Sequence, residues 1–160
     1  MSTVHVRGEA VRRFIIENLE SHPSDIVKQA SEKFGCTRQA VHKHLQRLVV
    51  EGTVAQEGQT RSKRYTLAAL EQWSKQFYLD ASLTEDRVWR DHVAPSLGKL
   101  PENVLNIWHY GFTEMFNNAI DHSGGKHIHV RLTKTAAATL VEIYDDGVGI
   151  FKKIQSALDL

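Results

Sequence analysis

The sequence predicts an α+β protein built from two modules, and three observations predict it. Apolar residues recur at helical spacing in residues 8–51 and 102–122, they alternate in 126–133 and 139–145, and the charge divides by position. With 160 residues, 41% of them apolar and 24% charged, the chain has room for one ordinary domain or two small ones. The net charge of +1 conceals the division. Residues 1–68 hold eleven Lys/Arg against seven Asp/Glu, and the rest hold nine against twelve. A basic first part and an acidic second part point to two modules with different partners, the first of them polyanionic. The expected boundaries are 1–68, a helical connector over 69–100, and 101–160.

Several classes are excluded early. No apolar run approaches the roughly 18 residues that span a bilayer, and the N-terminus lacks the apolar core of a signal peptide. The single cysteine, Cys36, leaves no intramolecular disulfide and no all-cysteine zinc site. These features predict a cytoplasmic protein with no membrane partner.

In the first module, Val11, Phe14, Ile15 and Leu19 form the apolar side of a helix beginning near Gly8. Ser21-His-Pro-Ser24 interrupts it. Ser24 or Asp25 can cap a second helix carrying Ile26, Val27, Ala30 and Phe34, which Gly35 stops. Thr37 caps a third, from Arg38 to about Glu51, whose buried stripe is Ala40, Val41, Leu45, Leu48 and Val49. Gly52 ends it. Residues 53–57 and 63–67 then read as two short strands around Gly58-Gln-Thr-Arg-Ser62.

Three helices followed by a hairpin, with the tight turn Phe34-Gly-Cys-Thr-Arg38 between the second and third, resemble the winged helix-turn-helix of transcriptional regulators over nearly all of residues 5–68. That resemblance implies that the third helix enters the major groove of double-stranded DNA. Arg38, Gln39, His42, Lys43, Gln46 and Arg47 occupy the face away from the apolar stripe, and Arg61, Lys63 and Arg64 sit in or beside the wing. Arginine and lysine suit phosphates, whereas Gln39 and Gln46 suit base edges. His42 and His44, two apart on a helix, share no face and make a poor metal pair.

The second module begins less distinctly. Leu70, Trp73 and Phe77, then Val88, Trp89 and Val93, fall at helical intervals, with Thr84 as a cap before Glu85, which predicts a connecting helix followed by another. From Glu102 to His122 the helical pattern is strong. Leu105, Trp108, Phe112, Met115, Phe116 and Ala119 make an apolar face, with Glu114, Asn117, Asn118 and Asp121 opposite, and Gly124 is suited to a left-handed cap. Ile128, Val130 and Leu132 alternate with His127, His129 and Arg131 in a strand. Residues 136–138 turn the chain into a second strand, whose Val141, Ile143 and Asp145 share one side. A carboxylate on that apolar side needs a hydrogen-bonding network or a ligand that supplies donors.

Glu114-Met-Phe-Asn-Asn118-Ala-Ile-Asp-His122 on a helix, then a strand hairpin, then Asp145-Asp-Gly-Val-Gly149, resembles the N box and first glycine box of the GHKL ATPase superfamily: gyrase B subunits, heat-shock chaperones, mismatch-repair proteins and histidine kinases. The resemblance implies ATP and magnesium as cofactors. It makes Glu114 the activator of water and Asn118 the magnesium ligand, with Asp145 receiving the adenine amino group and Gly147 and Gly149 letting the base lie against the chain. The family's site also has a lid and a second glycine-rich segment. Residues 150–160 carry no further glycine, so the chain is expected to be the first part of a longer protein or to have lost its grip on phosphate, and in either case to be inactive as an enzyme by itself.

The combined expectation is a winged helix-turn-helix followed by a partial GHKL-type α/β sandwich. It describes a DNA-binding regulator whose second module is a sensor or homodimerisation element. The alternative is an ATPase, or a protein kinase of anti-sigma or histidine-kinase type, that uses the winged helix to dock protein.

Overall fold

The computed structural model of the chain describes residues 3–59 and 63–147, with side chains from residue 7 onward. The protein is α+β, and it divides into two compact units: Met1–Leu70 with Lys134–Ala138, and Glu71–Thr133 with Thr139–Leu160.

The first unit holds α1 (Thr3–Asn18), α2 (Ile26–Phe34) and α3 (Arg38–Val50), followed by an antiparallel pair, β1 (Val54–Glu57) and β2 (Arg64–Leu67). Local chemistry sets each boundary. Gly35 closes α2 in the left-handed region at φ 55°, a conformation that costs a residue with a Cβ. The Thr37 hydroxyl accepts the Ala40 N–H at 3.2 Å and so fixes the start of α3. Gly52, at φ 73°, turns the chain into β1. One core forms where Val11 and Ile15 of α1, with Leu19 just after it, meet Ile26, Ala30, Val41, Leu45 and Leu48, with Val54 and Tyr65 contributed by the hairpin.

The second unit is a three-stranded sheet in the order β3 (Glu71–Tyr78), β4 (His127–Lys134), β5 (Thr139–Asp145). Between β3 and β4 the chain runs through α4 (Glu85–Val88), a π-helical turn (Trp89–Val93), α5 (Ala94–Leu97) and the long α6 (Glu102–His122). The central strand buries Ile128, Val130 and Leu132 completely. They share a core with Phe112, Phe116 and Ala119 of α6 and with Val88, Trp89, Val93 and Leu97. The Thr135 hydroxyl accepts the N–H groups of Ala137 (3.3 Å) and Ala138 (3.2 Å), which makes the turn between β4 and β5.

Residues 69–100 are therefore not a helical connector. Residues 71–78 form a strand of the second unit, and only the helix expected around Val88–Val93 is present. The error has a physical source. Trp73 and Phe77 stand four apart, a spacing that places residues on one face of a helix and equally on one face of a strand. The strand wins because both rings meet the core of the second unit, and the Trp73 indole N–H donates to the buried Ser96 hydroxyl at 2.9 Å. No helix among the described residues is long and apolar enough to cross a membrane.

Candidate functional site

The buried stripe Val41, Leu45 and Leu48 holds one side of α3 against the first unit's core, which turns its other side outward. Arg38, Gln39, His42, Lys43, Gln46 and Arg47 are all exposed. Two of them are engaged within the protein. The Gln46 amide donates to Gln56 of β1 at 3.4 Å, and Arg47 Nε donates to Glu51 at 2.8 Å, a solvent-screened pair that contributes little to stability. Arg64 opens β2 opposite Glu57, and both Lys63 and Arg64 are exposed. Arg61 lies outside the described residues.

A groove of about 340 Å³ brings Arg38, His42 and Lys63 together, and it adds Ser24 and Lys28, which sequence reasoning missed. Lys28 belongs to α2 and is distant from the third helix in sequence, so only the packing of α2 on α3 discloses it. Asp25 also lines this groove. The Gln29 amide and then His22 hold its carboxyl below the usual range, so it stays ionised.

In the second unit a cleft of about 490 Å³ is lined by Met115, Asn118, Ala119, His122, Ser123, Ile143 and Asp145. Asn118 and Asp145 thus share one cleft. Glu114 does not line it and is exposed on α6. Asp145 is not buried as its place in the alternation suggests. It lies at the end of an edge strand and is exposed, and its Oδ1 accepts the Gly147 N–H at 3.0 Å. Water therefore meets most of its solvation need, and the expectation of an apolar surrounding, which called for a hydrogen-bonding network or a ligand, is corrected.

Gly147 is required by the protein itself. A Cβ built there would lie 2.1 Å from the Ser123 carbonyl oxygen and 2.8 Å from Asp145 Oδ1. Gly125 faces the same junction from the other side, where a Cβ would lie 2.3 Å from Asp146 Oδ1 and 2.8 Å from the Gly147 nitrogen. The end of α6 and the turn after β5 are thus in backbone contact. Gly149 lies outside the described residues.

Asp146 clasps this junction. Its Oδ1 accepts the N–H groups of Lys126 (2.7 Å) and His127 (2.9 Å), and its Oδ2 lies 2.6 Å from His127 Nδ1. Those bonds, the His127 side chain first and its backbone next, hold the carboxyl far below the ordinary range. The sequence signal was indirect: Gly124-Gly125 ahead of a strand leaves backbone donors that need an acceptor.

Among the described residues no group of three or more His, Cys, Asp or Glu side chains is placed to hold a metal ion. No protein-family model matches the chain, and no curated protein or solved structure matches it. Fold and site stand on their own geometry: an α+β chain with a basic groove in one unit and, in the other, a cleft that Asn118 and Asp145 share.

Proposed function

We propose that this chain is a DNA-binding regulator. In this reading the first unit is a winged helix-turn-helix that seats α3 in the major groove of duplex DNA. The observation that carries it is the convergence of Arg38, His42 and Lys63 with Lys28 on one groove beside the exposed polar face of α3. Lys28, Arg38 and Lys63 gathered in this way suit phosphate contacts that set register, and Gln39, with the Gln46 amide, suits base edges. The test is fluorescence anisotropy of a labelled duplex with the parent chain and with the triple variant Arg38→Ala, Lys43→Ala, Arg64→Ala. Loss of binding with an unchanged circular dichroism spectrum supports the reading. Unchanged binding refutes it and favours a protein-docking role for this unit.

The second unit's cleft supports a further part of the proposal, an adenine nucleotide as ligand. Asp145 can accept an exocyclic N–H, while Ile143 and Met115 supply apolar walls for a base. The Asn118 carbonyl oxygen is the lining group suited to magnesium, which holds nucleotide phosphates in place when bound. The described lining includes no lysine or arginine to meet a triphosphate, and Glu114 lies outside it, so no hydrolytic step is assigned. Titration with ATP and magnesium, repeated on Asp145→Asn, tests this half separately from DNA binding. A homodimer through the outer edge of β5, which pairs with no further strand among the described residues, belongs to the same proposal, and sedimentation at high concentration tests it.

A further inference from the structure

A second concavity in the second unit, about 390 Å³, lies where the C-terminal half of β3, the loop after it and the start of the helical run converge. That volume is in the lower part of the range for small-molecule sites, roughly 300–1,000 Å³. It shares no lining residue with the Asn118 and Asp145 cleft. Its apolar lining is Phe77, Leu83 and the buried Val88, and its polar lining includes Asp80, Arg87 and His92.

These polar groups are of opposite kinds, and Asp80 and His92 are held by hydrogen-bond partners. Asp80 Oδ1 accepts both the Ser82 N–H at 2.8 Å and the Ser82 hydroxyl at 2.6 Å, so a turn fixes the carboxylate at the rim of the concavity. The Ser82 bonds, with the Arg87 charge as a smaller contribution, keep that carboxyl ionised. Arg87 touches Asp91 only loosely, through Nε at 3.8 Å, which leaves the donors of its terminal nitrogens. His92 Nδ1 lies 3.0 Å from the Lys75 ammonium. An ammonium only donates, so Nδ1 is the acceptor and the ring hydrogen sits on Nε2. Burial, then Lys75, holds the imidazole below its ordinary pKa and hence neutral. His92 and Asp91 also belong to the π-helical turn, a distortion that recurs at functional sites.

A simple anion in this concavity meets Asp80 and Asp91, and a simple cation meets Arg87. A molecule carrying both charges and an apolar group satisfies all three surfaces. We propose that this concavity binds a free α-amino acid with an apolar side chain, its carboxylate on Arg87, its ammonium on Asp80 and its side chain against Phe77 and Leu83. The inference is independent of DNA and nucleotide binding.

The test is calorimetric titration of the full chain with valine, leucine, methionine and phenylalanine. Leucine is then compared with 4-methylpentanoate, which lacks the ammonium, and 3-methylbutylamine, which lacks the carboxylate. The expected result is saturable binding of at least one amino acid, with each half-analogue weaker by about tenfold or more. Arg87→Met should reduce leucine to the level of the amine, and Asp80→Asn to the level of the acid. Both side chains are exposed, so an unchanged thermal midpoint checks that the variants fold. Absence of saturable binding at millimolar concentration overturns the proposal, as does equal binding of leucine and either half-analogue.

Discussion

Replacing Gly147 by alanine sets a methyl carbon 2.1 Å from the Ser123 carbonyl oxygen and 2.5 Å from its carbonyl carbon. The optimum for such contacts is near 3.5 Å, so the two segments must part by about 1.4 Å. Neither neighbour yields easily, because both atoms are backbone and Asp146 ties the same junction to Lys126 and His127. Overpacking of this kind costs about 2 kcal/mol. In a unit of this size that lowers the melting midpoint by about 8–16 °C. The assay is selective, since all three tryptophans, Trp73, Trp89 and Trp108, belong to the second unit and their fluorescence follows its unfolding alone. Gly111→Ala is the matched control. It lies inside α6 with nothing within 4 Å of its missing Cβ, so alanine there should stabilise by about 0.5–1 kcal/mol. A Gly147→Ala midpoint equal to that of the parent would refute the claim that the protein's own packing demands this glycine.

Other expectations are as direct. Thr37→Ala removes the acceptor at the start of α3 and should cost about 1 kcal/mol, measured by denaturant titration followed by circular dichroism. Phe116→Ala empties the centre of the second core and should cost about 3–5 kcal/mol, measured by tryptophan fluorescence. The Asp146 carboxyl is lowered in the folded chain, so its contribution is fully present above the ordinary carboxylate value of about 3.9 and is lost as pH falls below that. Thermal midpoints taken across acidic pH should therefore decline less steeply for Asp146→Asn than for the parent, whose midpoint is the higher of the two at neutral pH. For DNA, each phosphate contact removed should reduce the slope of log affinity against log salt by about 0.9, so Lys63→Ala should flatten it by roughly one.

How far the sequence discloses the structure depends on the range of the forces involved. The first unit was legible because its boundaries are local: Gly35, Thr37 and Gly52 act on their immediate neighbours, and the stripe Val41, Leu45, Leu48 fits a single period. The strand at 71–78 was not, because Trp73 and Phe77 satisfy two periods and the choice is made by Ser96 and the distant core. The cleft was half legible. Asn118 and Asp145 line one cleft, yet alternation alone placed Asp145 in an apolar environment that the exposed end of an edge strand does not provide. Asp146 was not legible because its partners come from the loop after α6 and the start of β4, nor Lys28, because only the packing of helices brings it to Arg38 and Lys63.

The junction of Gly125, Asp146 and Gly147 also has a consequence for inheritance. Because the two glycines share a single steric clearance, a side chain at either one changes what the other can carry. Substitutions there should combine non-additively in a double-mutant cycle. Among descendants of this chain the three positions should drift together or not at all, a coupled character that neither segment, 123–127 or 145–147, displays by itself.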